Sequence, residues 1–317
     1  MKTSFFLSAV MAAGLLASCG NTDEVFNENG NGNGTEHAAP QLHILPTVSA
    51  ETRAGFTAKT DWAVNDAIGL FMYKATGWGE AYPRYDAQNN KSTKKADGWS
   101  QASPVYLLSE KATIWAYYPY NQSVTDGTKV PVPINAGTSV DYMWGKSTNQ
   151  VSVTETDARI PMKHALSQFV VRLKVSPEYH NDGNLTSARL KAKAAKFGTT
   201  GTMNLNNGGK ITFSGTTAEL SWAPNTTVPA QGQQAVDYSA AVYPMTLAQG
   251  EVTLEVVIDG ATYTYVIPQI NWEAGRRYIY SVTMRSNDAE IGGENGQSVT
   301  IEGWTSKEED ITLVPVK

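Results

Sequence analysis

A hydrophobic period of two is the feature that most restricts what this chain can fold into. Val252, Leu254, Val256 and Ile258 alternate with Thr253, Glu255 and Asp259, and beyond Asp259-Gly260 the run Ala261-Thr262-Tyr263-Thr264-Tyr265-Val266-Ile267 alternates again. Successive side chains of a strand point to opposite faces, so this pattern reads as half-buried strand rather than helix. Asp-Gly tolerates the positive φ of a type I′ turn, which makes this the clearest hairpin in the sequence. Phe169, Val171, Leu173 and Val175 against Arg172 and Lys174 read as another half-buried strand. Tyr278, Tyr280, Val282 and Met284 against Ser281 and Thr283 read as a third. Only Ser187 to Phe197 has a helix-like composition, rich in Ala and Lys. Ala188, Leu190, Ala192 and Ala194 nevertheless alternate with Arg189, Lys191 and Lys193, which predicts a strand there too.

Short strands bounded by Gly, Pro, Asn and Asp clusters, spaced by about ten residues, predict an all-β protein made of sandwiches. The length, 317 residues with 41% hydrophobic, fits one large domain or two of about 130 residues each. Ala116-Tyr117-Tyr118-Pro119-Tyr120 and Ala241-Val242-Tyr243-Pro244 each end a strand before a polar turn. That echo favours two similar domains, with a boundary near residue 160.

The N-terminus gives the expected destination. Lys2 precedes an apolar run from Phe5 to Leu16, too short to span a bilayer as a stable helix and of the length of a signal peptide. It ends in Leu16-Ala17-Ser18-Cys19-Gly20, small residues before the only cysteine of the chain, the pattern of a bacterial lipobox. A thiol exposed at the new N-terminus can accept a diacylglyceryl group. Each buried lipid CH₂ contributes about 0.8 kcal/mol, so two or three acyl chains on Cys19 would anchor the protein without a transmembrane helix. Asn21 to Pro40, with Asn29-Gly30-Asn31-Gly32-Asn33-Gly34 at its centre, has too little apolar content to offset the entropy of ordering and reads as a tether.

Several functions are disfavoured. A net charge of −5 and only 17% charged residues argue against a basic nucleic-acid binder. One cysteine excludes an internal disulfide framework, a thiolate zinc site and a CxxC redox pair. His37, His43, His164 and His180 are too scattered to suggest a metal cluster. Trp144-Gly145-Lys146-Ser147 resembles the end of a P-loop, but the earlier glycine that motif requires is Val140. GxSxG, HExxH and GxGxxG are absent. Asp61, Asp66 and Asp141 stand beside turns, where Asp commonly bonds its own backbone, and His164 precedes a strand and reads as a hydrogen-bonded structural residue. No catalytic residues, metal or cofactor are expected. Trp62, Trp115, Trp222 and Trp272 lie in apolar or strand contexts and read as core. Trp78, Tyr82, Tyr85 and Trp99 fall in the polar stretch Lys74 to Ser100, expected to be an exposed excursion that could contact a ligand.

Trp62-Ala-Val-Asn-Asp-Ala-Ile-Gly-Leu-Phe71 resembles the W-x-x-G-D-x-I-G-L-F signature of the Bacteroidales fimbrillins, the subunits of type V pili. Ala116 to Tyr120, Asp141 to Gly145, Met162 to Ser167, Trp272-x-x-Gly275-x-x-Tyr278-x-Tyr280 and Ile301-x-x-Trp304 continue the likeness in order along the chain. Asn65 stands where the family usually has Gly, a departure expected to affect only a turn. The resemblance implies two tandem transthyretin-like Greek-key β-sandwich domains and assembly by strand exchange after an arginine-specific protease removes an early strand.

The matching position is Arg53-Ala54, within Glu51-Thr52-Arg53-Ala54-Gly55-Phe56. Just upstream, Leu42, Ile44, Pro46 and Val48 alternate with Gln41, His43 and Thr47 as a half-buried strand. The expected divisions are residues 1–18 signal peptide, 19–53 lipidated tether and propeptide strand, 54–160 and 161–317 the two sandwiches. The C-terminal Ile311, Leu313, Val314 and Val316 alternate partly and form a candidate donor strand, which argues for a stalk or adaptor subunit. The expected partners are other fimbrial subunits, the outer membrane through the lipid, and the protease, at the cell surface. An alternative is a permanently anchored lipoprotein that binds glycans through the aromatic stretch.

Overall fold

The computed structural model describes residues 39–48, 59–83, 87–134, 140–176, 179–222, 226–228, 236–284, 289–290, 300–303 and 314–315. Cys19, Arg53, Ala54, Tyr85, Ile311, Leu313 and Val316 lie outside the described residues. Among the described residues every regular element is a strand.

The first strands are β1 (His43–Val48), β2 (Ala67–Lys74), β3 (Gln88–Lys95), β4 (Gly98–Gln101) and β5 (Ala112–Tyr118). Then follow β6 (Val130–Pro133), β7 (Met143–Lys146) and β8 (Asp157–His164). All but β6 form one seven-stranded sheet in the order β1-β8-β7-β5-β2-β3-β4. Its neighbours are antiparallel except β1, which runs parallel to β8. Although β1 and β4 are opposite edges, the Gln101 side chain of β4 reaches the Leu42 carbonyl just before β1, at 2.7 Å. The sheet therefore curls around its own core, in which Leu42, Ile44, Leu70, Ile114, Ile160 and Met162 are buried together.

The chain continues through β9 (Ser167–Val175), β10 (Asn184–Ala192), β11 (Phe197–Asn204), β12 (Lys210–Thr217), β13 (Glu219–Trp222) and β14 (Thr226–Thr227). Next come β15 (Val236–Val242), β16 (Met245–Leu247), β17 (Val252–Ile258), β18 (Ala261–Val266) and β19 (Ile270–Trp272). Last are β20 (Arg276–Met284), β21 (Ala289–Glu290), β22 (Thr300–Gly303) and β23 (Val314–Pro315). One sheet has the order β13-β10-β17-β18-β23, with β14 also on β10; another is β15-β9-β20-β21, with β22 also on β20. Both contribute to one core of Phe169, Leu190, Leu254, Trp272 and Tyr280. A third, small sheet, β12-β11-β6, joins a strand from the first part of the chain to the later part. Around it a mixed core unites Phe71, Trp115 and Tyr117 with Met203, Ala241 and Tyr243. Gly201 makes room there: a Cβ on it would stand 2.5 Å from the Tyr243 ring.

The expected hairpin is β17–β18, with Asp259 at φ 49° and Gly260 at φ 78°. The alternation at Ser187 to Phe197 also wins over helix propensity, but only as far as Ala192; Phe197 opens the next strand. The reason is cross-strand pairing, since Arg189 sits directly opposite Glu255 of β17 and Lys191 Nζ lies 2.6 Å from the same carboxylate. β9 and β20 depart from the half-buried expectation. They lie side by side inside their sheet, and Gln168, Val170, Arg277 and Ile279, on the face opposite the core, are buried as well. The expected exposed excursion from Lys74 to Ser100 is corrected in part: Gln88 to Gln101 forms the β3–β4 hairpin at the sheet edge. Its inward positions are small and polar, with Asn90 Nδ2 donating to the Ser103 carbonyl at 2.7 Å, so no apolar alternation marks it.

Candidate functional site

β1 is an edge strand delivered from upstream. Parallel neighbours cannot be joined by a tight turn, and β1 pairs with β8 over six residues, from His43↔Asp157 to Val48↔Met162, though more than a hundred residues of chain separate them. Leu42, Ile44 and Pro46 are buried, whereas His43, Leu45 and Thr47 face solvent. The His43 N–H donates to the Thr156 carbonyl at 2.9 Å. Strand alternation then turns the backbones of His43, Leu45 and Thr47 toward β8 and those of Leu42, Ile44, Pro46 and Val48 away from it.

On that far side β1 meets groups from the opposite edge. The Leu42 N–H donates to the Val105 carbonyl at 2.8 Å, and Gln101 Nε2 donates to the Leu42 carbonyl at 2.7 Å. Gln101 Oε1 in turn accepts from the Val105 N–H at 3.1 Å, closing a ring of three hydrogen bonds. Pro46 has no N–H to leave unpaired, and its carbonyl accepts from Trp62 Nε1 at 2.9 Å. Between these ties, beside Ile44, lies a cavity of about 570 Å³ walled by Leu45, Trp62, Lys94, Asp97, Trp99 and Asp157 among others.

Downstream of β1, the chain is fastened again at Lys59. Its N–H donates to Asp141 Oδ2 at 2.7 Å, and Asp141 Oδ1 meets His164 Nδ1 at 2.9 Å, a pair almost wholly buried. Lys59 Nζ is 2.6 Å from Asp66 Oδ2 and lies over the rings of Tyr118 (5.1 Å) and Trp62 (5.8 Å). Asp66 also accepts from the Ala63 N–H at 2.6 Å and from the Tyr118 hydroxyl at 3.2 Å. Burial, and then the Asp66 carboxylate, push the Tyr118 hydroxyl well above its ordinary pKa, so it stays a donor. Asn65 has φ 77°, a conformation that Gly and Asn tolerate, so its place in the signature is a turn as expected.

The predicted processing bond, Arg53–Ala54, falls within residues 49–58, between Val48 of β1 and the Lys59 anchor. Of the candidate donor strand, Val314 lies in β23, which pairs antiparallel with β18 at the edge of its sheet. The aromatic ligand candidates do not form one face. Tyr82 is buried, its hydroxyl accepting from the Leu108 N–H at 2.8 Å. Trp78 packs with Tyr73 at 4.6 Å and edge-on to Trp115 at 5.0 Å, against the mixed core. Trp99 packs edge-on to Trp62 at 5.1 Å, against the core of the first sheet. Sequence reasoning had no view of Trp62, Gln101 and Lys59 as ties across the fold; the only local signal was a proline within a strand, the mark of an edge. Among the described residues no group of three or more His, Cys, Asp or Glu is placed to hold a metal. No helix among them is long and apolar enough to cross a membrane.

Among the described residues, strands alone, several packed sheets and an upstream strand added in parallel define the class as an all-β protein whose first strand lies at a sheet edge. The chain belongs to the fimbrillin-like family, which matches residues 52–304. A candidate fimbrium subunit of Bacteroides uniformis, Fim1C, is 22% identical over 96% of each chain. Crystal structures of candidate cell adhesion proteins share the fold. One from Bacteroides uniformis has a TM-score of 0.60 at 20% identity, covering 84% of this chain and 99% of its own. Another, from Bacteroides ovatus, has 0.62 at 19%, covering 86% and 100%. A fimbrial protein from Bacteroides vulgatus gives 0.53 at 14%, covering 84% and 99%.

Proposed function

We propose that this protein is a structural subunit of a cell-surface fimbria, exported as a lipoprotein through Cys19, cleaved after Arg53 and polymerised by strand exchange. In this reading β1 departs with residues 19–53 and the lipid, and a strand of another subunit takes its place beside β8. The observation that carries it is β1 itself: a core-filling strand on a sheet edge, with no hairpin to its partner, leading directly into the connection that contains Arg53. Its loss would leave the β8 edge unpaired and the sites of Leu42, Ile44 and Pro46 empty, a surface that an extended segment can fill by backbone pairing and alternate side chains.

The family match supports this, and it begins at Thr52, leaving β1 outside the matched stretch. The relative described as a candidate fimbrium subunit agrees. The finer architecture belongs to the same reading: two tandem transthyretin-like Greek-key sandwiches, residues 54–160 and 161–317, with Ile311, Leu313, Val314 and Val316 as the donor and adhesion as the outcome. Other fimbrial subunits are then the partners, with the outer membrane and an arginine-specific protease engaged before assembly. The glycan-binding alternative is less favoured, because Trp78 and Trp99 pack against different cores and Tyr82 is buried.

Purified precursor treated with an arginine-specific protease is expected to give fibres by negative-stain electron microscopy. Arg53→Ala should stay monomeric, and deletion of Ile311 to Lys317 should leave a folded, cleavable protein that does not extend. Fibres of normal length from either variant would contradict the reading.

A further inference from the structure

We infer that cutting the chain does not by itself free β1, because a clasp on its second side, built by Trp62 just before β2 and by Gln101 of β4, holds the strand and sets the rate at which it leaves. This rests on the proposed processing and asks what happens after it. Hydrolysis adds water across one peptide bond and leaves a carboxylate on one piece and an amine on the other. No described contact of β1 depends on that bond. Upstream, the strand keeps its parallel ladder with β8 and its buried Leu42 and Ile44. Downstream, the chain is held separately from Lys59 onward by Asp141 and Asp66. The two ends of the cut connection are thus fastened independently, and the product is a nicked protein with its groove still full.

What distinguishes β1 from an ordinary edge strand is its second side. A free edge would offer bare N–H and C=O groups to any strand that arrives. Here the Leu42 N–H and carbonyl are both taken, by Val105 at 2.8 Å and by the Gln101 amide at 2.7 Å, and the Pro46 carbonyl is taken by the Trp62 indole at 2.9 Å. A glutamine side chain, which offers both an N–H donor group and a carbonyl acceptor, completes the ring with the Val105 N–H as a missing strand would. Between the two ties, Ile44 borders the open cavity, so an incoming strand could start there and displace β1 outward in both directions. Trp62 therefore has a part in exchange that differs from its packing: it is a positioning residue for the departing strand.

The test makes the nick independently of Arg53, at a site-specific protease sequence inserted between Ala50 and Phe56, so that failure of natural processing and failure of the clasp are read apart. After the cut, without denaturant, the fragment bearing β1 is expected to co-elute with the body in gel filtration and to be found by mass spectrometry in the same peak. Trp62→Phe and Gln101→Ala should each release it about fivefold faster, the effect of one lost hydrogen bond. Melting curves of the uncut variants separate this from general unfolding, and Gln101→Ala keeps the test alive if Trp62→Phe folds poorly. Immediate loss of the fragment from the unsubstituted protein would overturn the inference. So would equal release rates in all three proteins.

Discussion

Asp141 is one of three aspartates whose sequence setting suggests a turn, and it does something else. Asp61 accepts from the Trp62 N–H at 2.7 Å and Asp66 from the Ala63 N–H, both local and both legible from the residue type beside a turn. Asp141 instead ties the Lys59 N–H, 82 positions away, to His164, 23 positions away. No local pattern announces partners that distant; the sheet brings them together. Because Asp141 is 6% exposed, Asp141→Ala would remove from a buried site the carboxylate that the His164 ring and the Lys59 N–H share. The expected loss is about 3 kcal/mol in urea unfolding, the range for breaking a buried pair on one side. A change below about 0.5 kcal/mol, the size of a plain surface substitution, would mean that this tie is not holding the segment.

At the scale of elements, legibility follows locality. The β17–β18 hairpin is written in adjacent residues, alternation on either side of Asp259-Gly260, and it forms as expected. β3 was unreadable because a strand that hydrogen-bonds its inward Asn90 and Ser92 has no apolar period to detect. For β9 and β20, Arg172, Lys174, Ser281 and Thr283 suggested a wet face, yet Gln168, Val170, Arg277 and Ile279 on that face are buried.

The β10–β17–β18 region carries a pH expectation. Burial alone would raise the Glu255 carboxyl, but hydrogen bonds and charge from Lys191 and Arg189 overcome it and hold the group below its ordinary value of 4.5. At the hairpin, burial again opposes, while the Tyr179 hydroxyl and the N–H groups of Asn184 and Gly183 hold Asp259 below its ordinary 3.8. A carboxyl lowered on folding contributes its full stability above the unfolded pKa and loses it as pH falls through the lowered folded value. Through these groups the melting temperature should thus not vary with pH near neutrality and should decline below about pH 4.5. Glu255→Gln should lower it at pH 7 and soften that decline; an unchanged acid profile in the variant would remove Glu255 from the cause.

For the whole molecule, the sequence conveyed the all-β class and, through Trp62 to Phe71, the family to which the chain belongs. It could not convey that β6 crosses to pair with β11, or that Tyr243 donates its hydroxyl to the Val132 carbonyl, because both join segments that no short window contains. Nor could it convey that the first sheet curls until β4, at its far edge, reaches the chain at β1. That curl gives the proposed processing its physical sense: one strand can leave while the remaining strands keep their own partners, and the vacancy has a defined length and a defined row of pockets. The central claim is that this strand leaves. N-terminal sequencing of the protein taken from intact cell surfaces tests it most directly. A mature chain beginning at Ala54 is the expected result, and a lipidated Cys19 at the start of all of the protein would contradict it.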